Sequence, residues 1–246
     1  MSFEYIKPFK NLFKGNDSFY GENLLSDAKQ NGKGKMESSF SFKNQQLSEN
    51  EYLMHLEGKK GLAICPITND NKCTFGMIDI DCYNTSYKGL IDYIYNNSIP
   101  LTPFRSKSGG LHLYLFLKGQ VEARVIITAL KKFVTSFGLS SAYRQGNVSK
   151  VEIFPKQALL TEDTKGNVIT LPLYGGDETV QYLITAGKTK LSLIDTLNFC
   201  AGRVTSIKHF EDSFKTVPYL DAPKCLQTIT TLNLITENGG RNNYLL

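Results

Sequence analysis

FGMIDIDCY, residues 75–83, is the strongest local signal in the sequence. Its apolar residues enclose two aspartates, and this composition predicts a buried β-strand over residues 75–82. Because successive side chains of a strand point to opposite faces, Asp79 and Asp81 share one face and lie about 6.5 to 7 Å apart along the backbone.

The two aspartates of this strand form a candidate metal site. Two carboxylates in apolar surroundings repel each other and are poorly solvated, and a divalent cation between them relieves both penalties. Hard cations such as Mg²⁺ prefer oxygen ligands of this kind. The alternative is a strand end whose aspartates face solvent, and the Asp-x-Asp pattern taken alone favours that alternative.

TPFRSKSGGLHLYLFL, residues 102–117, joins a cationic glycine turn to a second strand. Glycines let another group approach the backbone closely, and exposed N–H groups beside cations suit phosphate oxygens. A tight hairpin with an incidental histidine is the alternative. The candidate phosphate-binding residues of this segment are Arg105, Lys107, Ser108, Gly109, Gly110 and His112.

VEIFPKQ, residues 151–157, provides the third signal. Glu152 and Phe154 share one face of a predicted strand, and Lys156 continues that side after Pro155 ends the strand. A carboxylate within an apolar strand is costly unless it is paired or bound to a metal. Lys156 is therefore either a salt-bridge partner of Glu152 or a nucleotide-binding cation beside it.

Together the three segments predict a site for phosphoryl or nucleotidyl transfer. The three acids carry enough negative charge to hold two divalent cations, Mg²⁺ or Mn²⁺, when a triphosphate supplies further oxygen ligands. The basic side chains then meet the remaining phosphate charge. The sequence contains no GxxxxGK[ST] pattern, so nucleotide binding of the P-loop type is excluded.

Around these segments, short apolar runs alternate with stretches of helical periodicity, which indicates an α/β domain. Strands are predicted at residues 61–67, 75–82, 101–106, 111–117, 150–154 and 168–173, and helices at 87–96, 122–137, 180–186 and 191–204. Residues 1–50 are polar, with a flexible loop predicted at 31–35, and we place a boundary near residue 190.

The composition is that of a globular protein with a substantial core, at 246 residues of which 41% are hydrophobic. The net charge of +5 is compatible with a polyanionic partner. Five widely spaced cysteines without a CxxC pair favour reduced thiols over a disulfide framework or a zinc ribbon. Because no signal sequence or long apolar run is present, we expect a soluble, cytoplasmic protein that does not contact membranes.

The order of the three signals resembles the three motifs of the archaeo-eukaryotic primase superfamily. GLAICPI (61–67), FGMIDIDCY, RSKSGGLHLYLF (105–116) and VEIFPKQ are similar, more narrowly, to the primase-polymerases of phages, plasmids and conflict systems. The resemblance runs from about residue 52 to residue 175. It implies a two-layer α/β catalytic core with an RRM-like sheet, followed by a short helical C-terminal segment.

The resemblance also implies roles for individual residues. His112 corresponds to the histidine that contacts the phosphates of the incoming nucleotide. That motif is often written Ser-x-His, whereas here Gly110 occupies the serine position and Ser108 lies two residues earlier, which leaves the role of the serine open. The implied catalytic metal ligands are Asp79, Asp81 and Glu152.

The implied function is that of a DNA-dependent primase and polymerase, which makes and extends primers on single-stranded DNA from nucleoside triphosphates during phage or mobile-element replication. The implied domains are a catalytic domain over residues 1–190 and the start of a helical domain over 191–246. The abrupt end at RNNYLL and the helical-domain resemblance of PYLDAPKCLQ (218–227) predict a longer protein, with a helicase domain or protein as a further partner.

Two other functions compete with this interpretation. A rolling-circle replication endonuclease needs two histidines on one strand and a nucleophilic tyrosine, but Tyr114 lies where the second histidine would be. A non-catalytic single-strand binding module would use basic and aromatic side chains. Such a module has no use for three acids that point inward, so the enzyme is favoured over both.

Overall fold

The computed structural model describes residues 3–24, 39–81, 86–137, 139, 150–161, 166–187 and 189–215. In this part of the chain the strands are β1 (Tyr20–Leu24), β2 (Ser39–Lys43), β3 (Gly61–Ile64), β4 (Lys72–Asp81), β5 (Thr102–Arg105), β6 (Leu111–Glu122), β7 (Lys150–Phe154) and β8 (Ile169–Thr170). The helices are α1 (Ile6–Leu12), α2 (Glu49–Leu56), α3 (Lys88–Asn96), α4 (Ala123–Ser136), α5 (Leu193–Gly202) and α6 (Ile207–Phe214).

The central sheet has the strand order β5-β6-β4-β7, and all of its neighbouring strands are antiparallel. Along the chain its elements run β4-α3-β5-β6-α4-β7, which is the βαββαβ arrangement of ferredoxin-like and RRM-like sheets. The predicted RRM-like α/β core is therefore confirmed.

One face of the central sheet packs against helices. Ile78, Leu113 and Val151 lie on this face and belong to a core cluster that also contains residues of α3, α4 and α6. Helix α4 forms here because its buried residues recur every three or four positions, at Ile126, Leu130 and further along the same side. This face is apolar along its length, and its packing against the helices holds β4 in position.

The other face of the central sheet packs against a second, smaller unit of structure. A four-stranded sheet of order β2-β1-β3-β8 contributes Tyr20, Leu62 and Ile169 to a core cluster shared with Met77 and Tyr114 of the central sheet. Helices α1, α2 and α5 contribute to the same cluster. The sequence did not predict this second sheet as a separate layer.

Most of the predicted elements are confirmed, with shifted ends. The strand predicted at 111–117 continues to Glu122, and the strands predicted at 61–67 and 168–173 shorten to β3 and β8. The helix predicted at 191–204 is α5, which begins after Ser192 because the Ser192 side chain accepts a hydrogen bond from the backbone of Asp195. The loop predicted at 31–35 and the segment 218–227 lie outside the described residues.

The helix predicted at residues 180–186 is wrong. The segment is extended and lies beside β5, where Leu183 forms a β-bridge with Phe104 and the backbone of Ile184 donates to the Pro103 carbonyl. Leu183 is buried in one core cluster and Ile184 packs against the other, which is the alternation of a strand. The apolar spacing of this short run did not distinguish the two structures.

Three helices and two strands were missed. The polar segment 1–50 contains α1, β1, β2 and the start of α2, and α6 follows α5 in a stretch for which no element was predicted. Cys65, Cys73 and Cys200 are buried and free, as predicted for thiols, while the other two cysteines lie outside the described residues. In the described part of the chain, no helix is long and apolar enough to cross a membrane.

Candidate active site

The candidate site is built on a row of three side chains across the central sheet. In the antiparallel register, Asp79 of β4 lies opposite His112 of β6 on one side and opposite Glu152 of β7 on the other. Residues opposite each other in a sheet point to the same face, so the three side chains are neighbours. We call His112, Asp79 and Glu152 the polar row.

The polar row lies on the same sheet face as an aromatic core. Towards the middle of the sheet, the next residues on this face are Met77, Tyr114 and Phe154, and all three are buried. Towards the end of β4, Asp81 lies two residues beyond Asp79 and therefore on the same face. One face of one sheet thus changes from a packed core to an acidic site within a few residues.

Asp79 and His112 contact each other but are not satisfied by that contact. His112 Nε2 lies 3.3 Å from Asp79 Oδ1, and the two side chains are 13% and 19% exposed. Within the described part of the chain, Asp79 Oδ1 and His112 Nδ1 are buried atoms without a hydrogen-bond partner. Buried polar atoms are nearly always paired in folded proteins, so unpaired ones mark a position where a ligand can bind.

Glu152 and Lys156 form an ion pair at the other end of the row. Lys156 Nζ donates to Glu152 Oε1 over 2.9 Å and also lies 4.9 Å from the centre of the Phe154 ring. The sequence left this pairing open as the alternative to a nucleotide-binding lysine. As the structure stands, Lys156 neutralises Glu152.

The glycine turn between β5 and β6 closes over the end of β4. The backbone of Ser106 donates to the Gly110 carbonyl over 2.9 Å, and Gly109 adopts a positive φ of 96° that favours glycine. A Cβ atom at Gly110 would lie 2.8 Å from the Ile80 carbonyl oxygen and 3.0 Å from Asp81 Oδ1. Glycine at 110 therefore lets the turn approach the second aspartate.

Ser106 is a site residue that the sequence interpretation missed. It is buried, and its hydroxyl lies 3.4 Å from that of Ser108 and 3.1 Å from the position that a Cβ of Gly110 would take. The segment RSKSGG contains both serines, but nothing in the sequence shows that the first one turns inward. The backbone hydrogen bond from Ser106 to Gly110, which fixes that orientation, is visible only in the fold.

The two predicted cations before the turn lie apart from the polar row. Arg105 is opposite Leu111 in the sheet, so its side chain leaves from the helix-covered face, and its guanidinium donates to the carbonyls of Ser106 and Val180. Lys107 is exposed in the turn and makes no hydrogen bond or ion pair with other described residues. Of the two, Lys107 is the cation that is available to a ligand.

Comparison with known proteins identifies the family. Residues 4–184 match the family described as the Archaeo-Eukaryotic Primase domain of the TOTE conflict system. This chain belongs to that primase family.

A solved structure is similar to the primase domain, whereas no curated sequence matches it. A solved structure, the polymerase domain of Mycobacterium tuberculosis Ligase D in complex with DNA, is similar at 13% sequence identity, with a TM-score of 0.39 and coverage of 90% of this chain and 92% of that one. No curated protein sequence matches the chain significantly.

The acids of the primase domain fit a divalent cation by their chemistry and surroundings. Asp79 Oδ1 is a buried carboxylate oxygen without a hydrogen-bond partner among the described residues, which is the state that a cation relieves. No three His, Cys, Asp or Glu side chains of the described part lie close enough together to hold an ion by themselves. Mg²⁺ is usually held by one or two carboxylates together with substrate phosphates, so this arrangement suits an ion that binds together with a phosphate-bearing ligand.

Tyr114 argues against a nuclease of the rolling-circle type. Its ring is fully buried among Phe13, Phe104 and Phe116, and burial, with a smaller contribution from Asp79, raises the pKa of its hydroxyl far above the usual range. A tyrosine nucleophile has to reach its substrate and lose its proton. Tyr114 can do neither in this fold, and it belongs to the core.

Proposed function

We propose that this primase domain is a template-dependent nucleotidyltransferase that synthesises primers and extends them on single-stranded DNA. The observation that carries the proposal is the polar row, in which a buried, unpartnered carboxylate oxygen lies between a histidine and a second acid on one sheet face. Because the matched family is described from a conflict system, we place this activity in such a system or in a related mobile element.

Asp79, Asp81 and Glu152 are the residues that would hold two divalent cations, Mg²⁺ or Mn²⁺. When bound, such ions neutralise charge on the attacking and leaving oxygens of a phosphoryl transfer. The fold contributes the placement of the acids. Asp79 lies on the central strand between two neighbours, and Asp81 is held against the turn at Gly110.

In the proposed reaction, the terminal 3′-hydroxyl of the growing strand forms a bond to the α-phosphorus of the incoming nucleotide. The bond from that phosphorus to the oxygen that bridges it to the β-phosphorus breaks, so pyrophosphate leaves with the bonding electrons, and the hydroxyl proton passes to water. Catalysis of this kind depends mainly on positioning and on charges arranged in advance.

The triphosphate would be bound by the turn and by His112. His112 Nδ1 has no hydrogen-bond partner in the described part of the chain. An N–H group at this position can donate a hydrogen bond to a phosphate oxygen. Lys107 is exposed beside Ser108, Gly109 and Gly110, so its charge is available to the same phosphates. Arg105 supports the turn through the Ser106 carbonyl, and we assign it a positioning role.

Lys156 would change partners when the nucleotide binds. In the structure it neutralises Glu152, but a cation held by Glu152 would take over that function and leave the ammonium group for a phosphate. The lysine is about one-third exposed, so it can move without unpacking the core. Lys156 would thus pair with Glu152 in the nucleotide-free site and with a phosphate in the nucleotide-bound site.

A primer-synthesis assay tests the proposed function. Wild-type protein is incubated with single-stranded DNA, Mg²⁺ or Mn²⁺, and either ribonucleotides or deoxynucleotides, and products are resolved by length. We expect new strands from the wild type and none from Asp79→Asn. Binding of single-stranded DNA without synthesis under any of these conditions would instead identify a non-catalytic binding module.

A further inference from the structure

A second polar site lies at the far end of β6, away from the polar row. A cavity of about 470 Å³ opens between the end of β6, the residues before β5 and the connection from α5 to α6. Lys118 marks its position on β6, six residues beyond His112, which corresponds to about 20 Å along a strand. The cavity is therefore distinct from the candidate active site.

The walls of the cavity are fixed by backbone hydrogen bonds. Lys118 donates its N–H to the Thr205 carbonyl over 2.8 Å, and Thr205 donates to the Phe116 carbonyl over 3.0 Å, so the connection between α5 and α6 runs beside β6. Ser206 caps α6 by accepting from the backbone of His209. One N–H group of the helix end is thus already bonded, and the groups that could bind a ligand are the side chains that line the cavity.

Three basic side chains line the cavity, and none of its lining residues in the described part of the chain is an acid. They are Lys118, Arg203 and His209. Neither Lys118 nor His209 makes a side-chain hydrogen bond or ion pair with other residues of the described part. Of the two acids of α6, Glu211 pairs with Lys132, and Asp212 pairs with Lys215 while also interacting electrostatically with His209.

Arg203 is held rigidly at the wall of this cavity. Its guanidinium donates to the Leu101 carbonyl over 3.0 Å and lies 5.1 and 5.7 Å from the ring centres of Tyr95 and Phe199. Its Nε atom is buried without a hydrogen-bond partner among the described residues. Carbonyls and rings do not neutralise a charge, so a positive charge remains fixed at this position.

The lining also indicates the chemical class of the ligand. Hydroxyl groups of Ser98, Thr205 and Ser206 accompany the three basic side chains, and the described residues that line the cavity include no Phe or Tyr. A site without an aromatic surface is poorly suited to stack a base, whereas cations and hydroxyls bind phosphate oxygens. The volume lies within the usual range of small-ligand sites.

We propose that this cavity is a second anion site that binds a phosphate-bearing ligand, either the backbone of a nucleic acid strand or a free nucleotide. Lys118 and His209 contact the phosphate, and Arg203 supplies a fixed charge behind them. The packing role of Arg203 does not explain Lys118 and His209, whose side chains make no hydrogen bond or ion pair within the described part of the chain.

The three histidines of the chain make the proposal testable by NMR. Side-chain ¹⁵N labelling of histidine gives signals from His209 in the cavity, His112 in the polar row and His55 in the core. Titration with tripolyphosphate is expected to shift the His209 signal until it saturates and to leave His55 unchanged. A His209 signal that does not respond overturns the proposal, whatever His112 does.

Lys118→Gln is the deciding variant, because Arg203 also supports the fold and its removal is expected to perturb packing. Losing one charged hydrogen bond is expected to weaken tripolyphosphate binding at His209 by about 10-fold or more. Lys131→Gln, on the exposed side of α4, removes the same charge and is expected to have no effect. Equal effects of the two variants would show that only net charge matters and would overturn the site.

Two further titrations identify the source of the phosphate. One uses a 20-nucleotide single-stranded DNA and the other a nucleoside triphosphate, each followed at His209 in wild type and Lys118→Gln. A Lys118-dependent shift with either one supports the proposal and names the ligand. A response to neither overturns it. The His112 signal reports the proposed catalytic function separately, so either idea can fail alone.

Discussion

His55 and His112 both lie beside aromatic rings, but the ring nitrogens of the two residues differ in their hydrogen bonding. His55 is fully buried, with the Leu62 N–H donating to Nδ1 over 3.0 Å and Nε2 lying 2.9 Å from the Pro172 carbonyl oxygen. His112 is partly exposed, and its buried Nδ1 has no hydrogen-bond partner among the described residues. One histidine is complete without a ligand and the other is not.

The acids show the same contrast. Glu22 is a buried residue of β1 in the second sheet, and Lys60 and Lys43 lie 2.8 and 3.6 Å from its oxygens. Burial by itself would raise the pKa of Glu22, but the hydrogen bond and charge of Lys60, with the charge of Lys43, hold it below its usual value. Among the described residues, the only charged partner of Asp79 is His112, 3.3 Å from Asp79 Oδ1, and that oxygen has no hydrogen-bond partner.

The comparison separates polar groups that hold the fold from polar groups held ready for a ligand. A satisfied network stabilises the protein, and removing one member leaves the others unpaired. An unsatisfied group lowers stability and persists where function requires it. Variants of the two regions should therefore have opposite effects on stability and on activity.

The largest expected effect is on catalysis by Asp79→Asn compared with Glu22→Gln. Asp79→Asn should lower nucleotide incorporation by roughly 10³-fold, because it removes a charge that acts at the reacting phosphate, while stability holds or rises. Glu22→Gln should lower stability by about 2 kcal/mol, because it leaves two lysines without their acid, with activity per folded molecule unchanged. Single-nucleotide extension rates and urea unfolding curves check both. Substantial polymerisation by Asp79→Asn would exclude it as a metal ligand.

The next effect is the pH dependence of stability that arises at His55. Burial lowers the pKa of His55 to about 4, against a smaller opposing effect of its hydrogen bond to Pro172. The contribution of neutral His55 to the free energy of unfolding is fully present above pH 6.5, near the pKa of histidine in the unfolded chain. It is lost as the pH falls towards 4, a change of about 3 kcal/mol. Unfolding free energies of wild type and His55→Gln, measured between pH 7.5 and 4.5, should converge as the pH falls. Parallel curves would contradict the assignment.

A somewhat smaller effect is expected from His112→Ala. Losing one charged hydrogen bond to a phosphate should weaken apparent nucleotide affinity by roughly 10- to 100-fold and leave the melting temperature unchanged. His55→Ala should lower the melting temperature and leave nucleotide affinity unchanged. Nucleotide titrations and melting curves of both variants decide the matter. A lowered melting temperature with unchanged nucleotide affinity in His112→Ala would make His112 a packing residue like His55.

The smallest effect on stability is expected from Lys156→Gln. Partly exposed ion pairs contribute little to stability, so the free energy of unfolding should change by less than about 1 kcal/mol. The matched variant is Lys88→Gln, which breaks the ion pair with Asp92 on α3 and should have an equally small effect. Nucleotide affinity should fall about 10-fold in Lys156→Gln only. If both variants behave alike in nucleotide binding, Lys156 has only its structural pairing with Glu152.

The sequence predicted the strands of the site well because alternation along a strand shows which residues share a face. Asp79 and Asp81, and likewise Glu152 and Phe154, could be placed together in this way. Alternation does not show which residue of the next strand lies opposite, so the polar row emerged only from the register of β4 with β6 and β7. The same limit explains Arg105, which is close in sequence to His112 yet leaves from the other face.

The second sheet was missed for a different reason. YGENL in β1 and SFSFK in β2 are short and carry polar residues, so neither shows a strand pattern strong enough to stand out in a polar segment. Their stability comes from pairing with each other and from the pairing of β1 with β3, and long stretches of chain separate β1 from both of these strands. Such long-range pairing is not visible in local periodicity.

The most direct test of the central claim is a calorimetric titration of Mn²⁺ into the protein in the presence of a non-hydrolysable nucleoside triphosphate. The polar row is expected to bind the ion together with the nucleotide, so wild type and Glu22→Gln should show the same saturable binding and Asp79→Asn should lose it. Undiminished binding by Asp79→Asn, or equal losses in both variants, would contradict the assignment of the polar row as a metal-dependent active site.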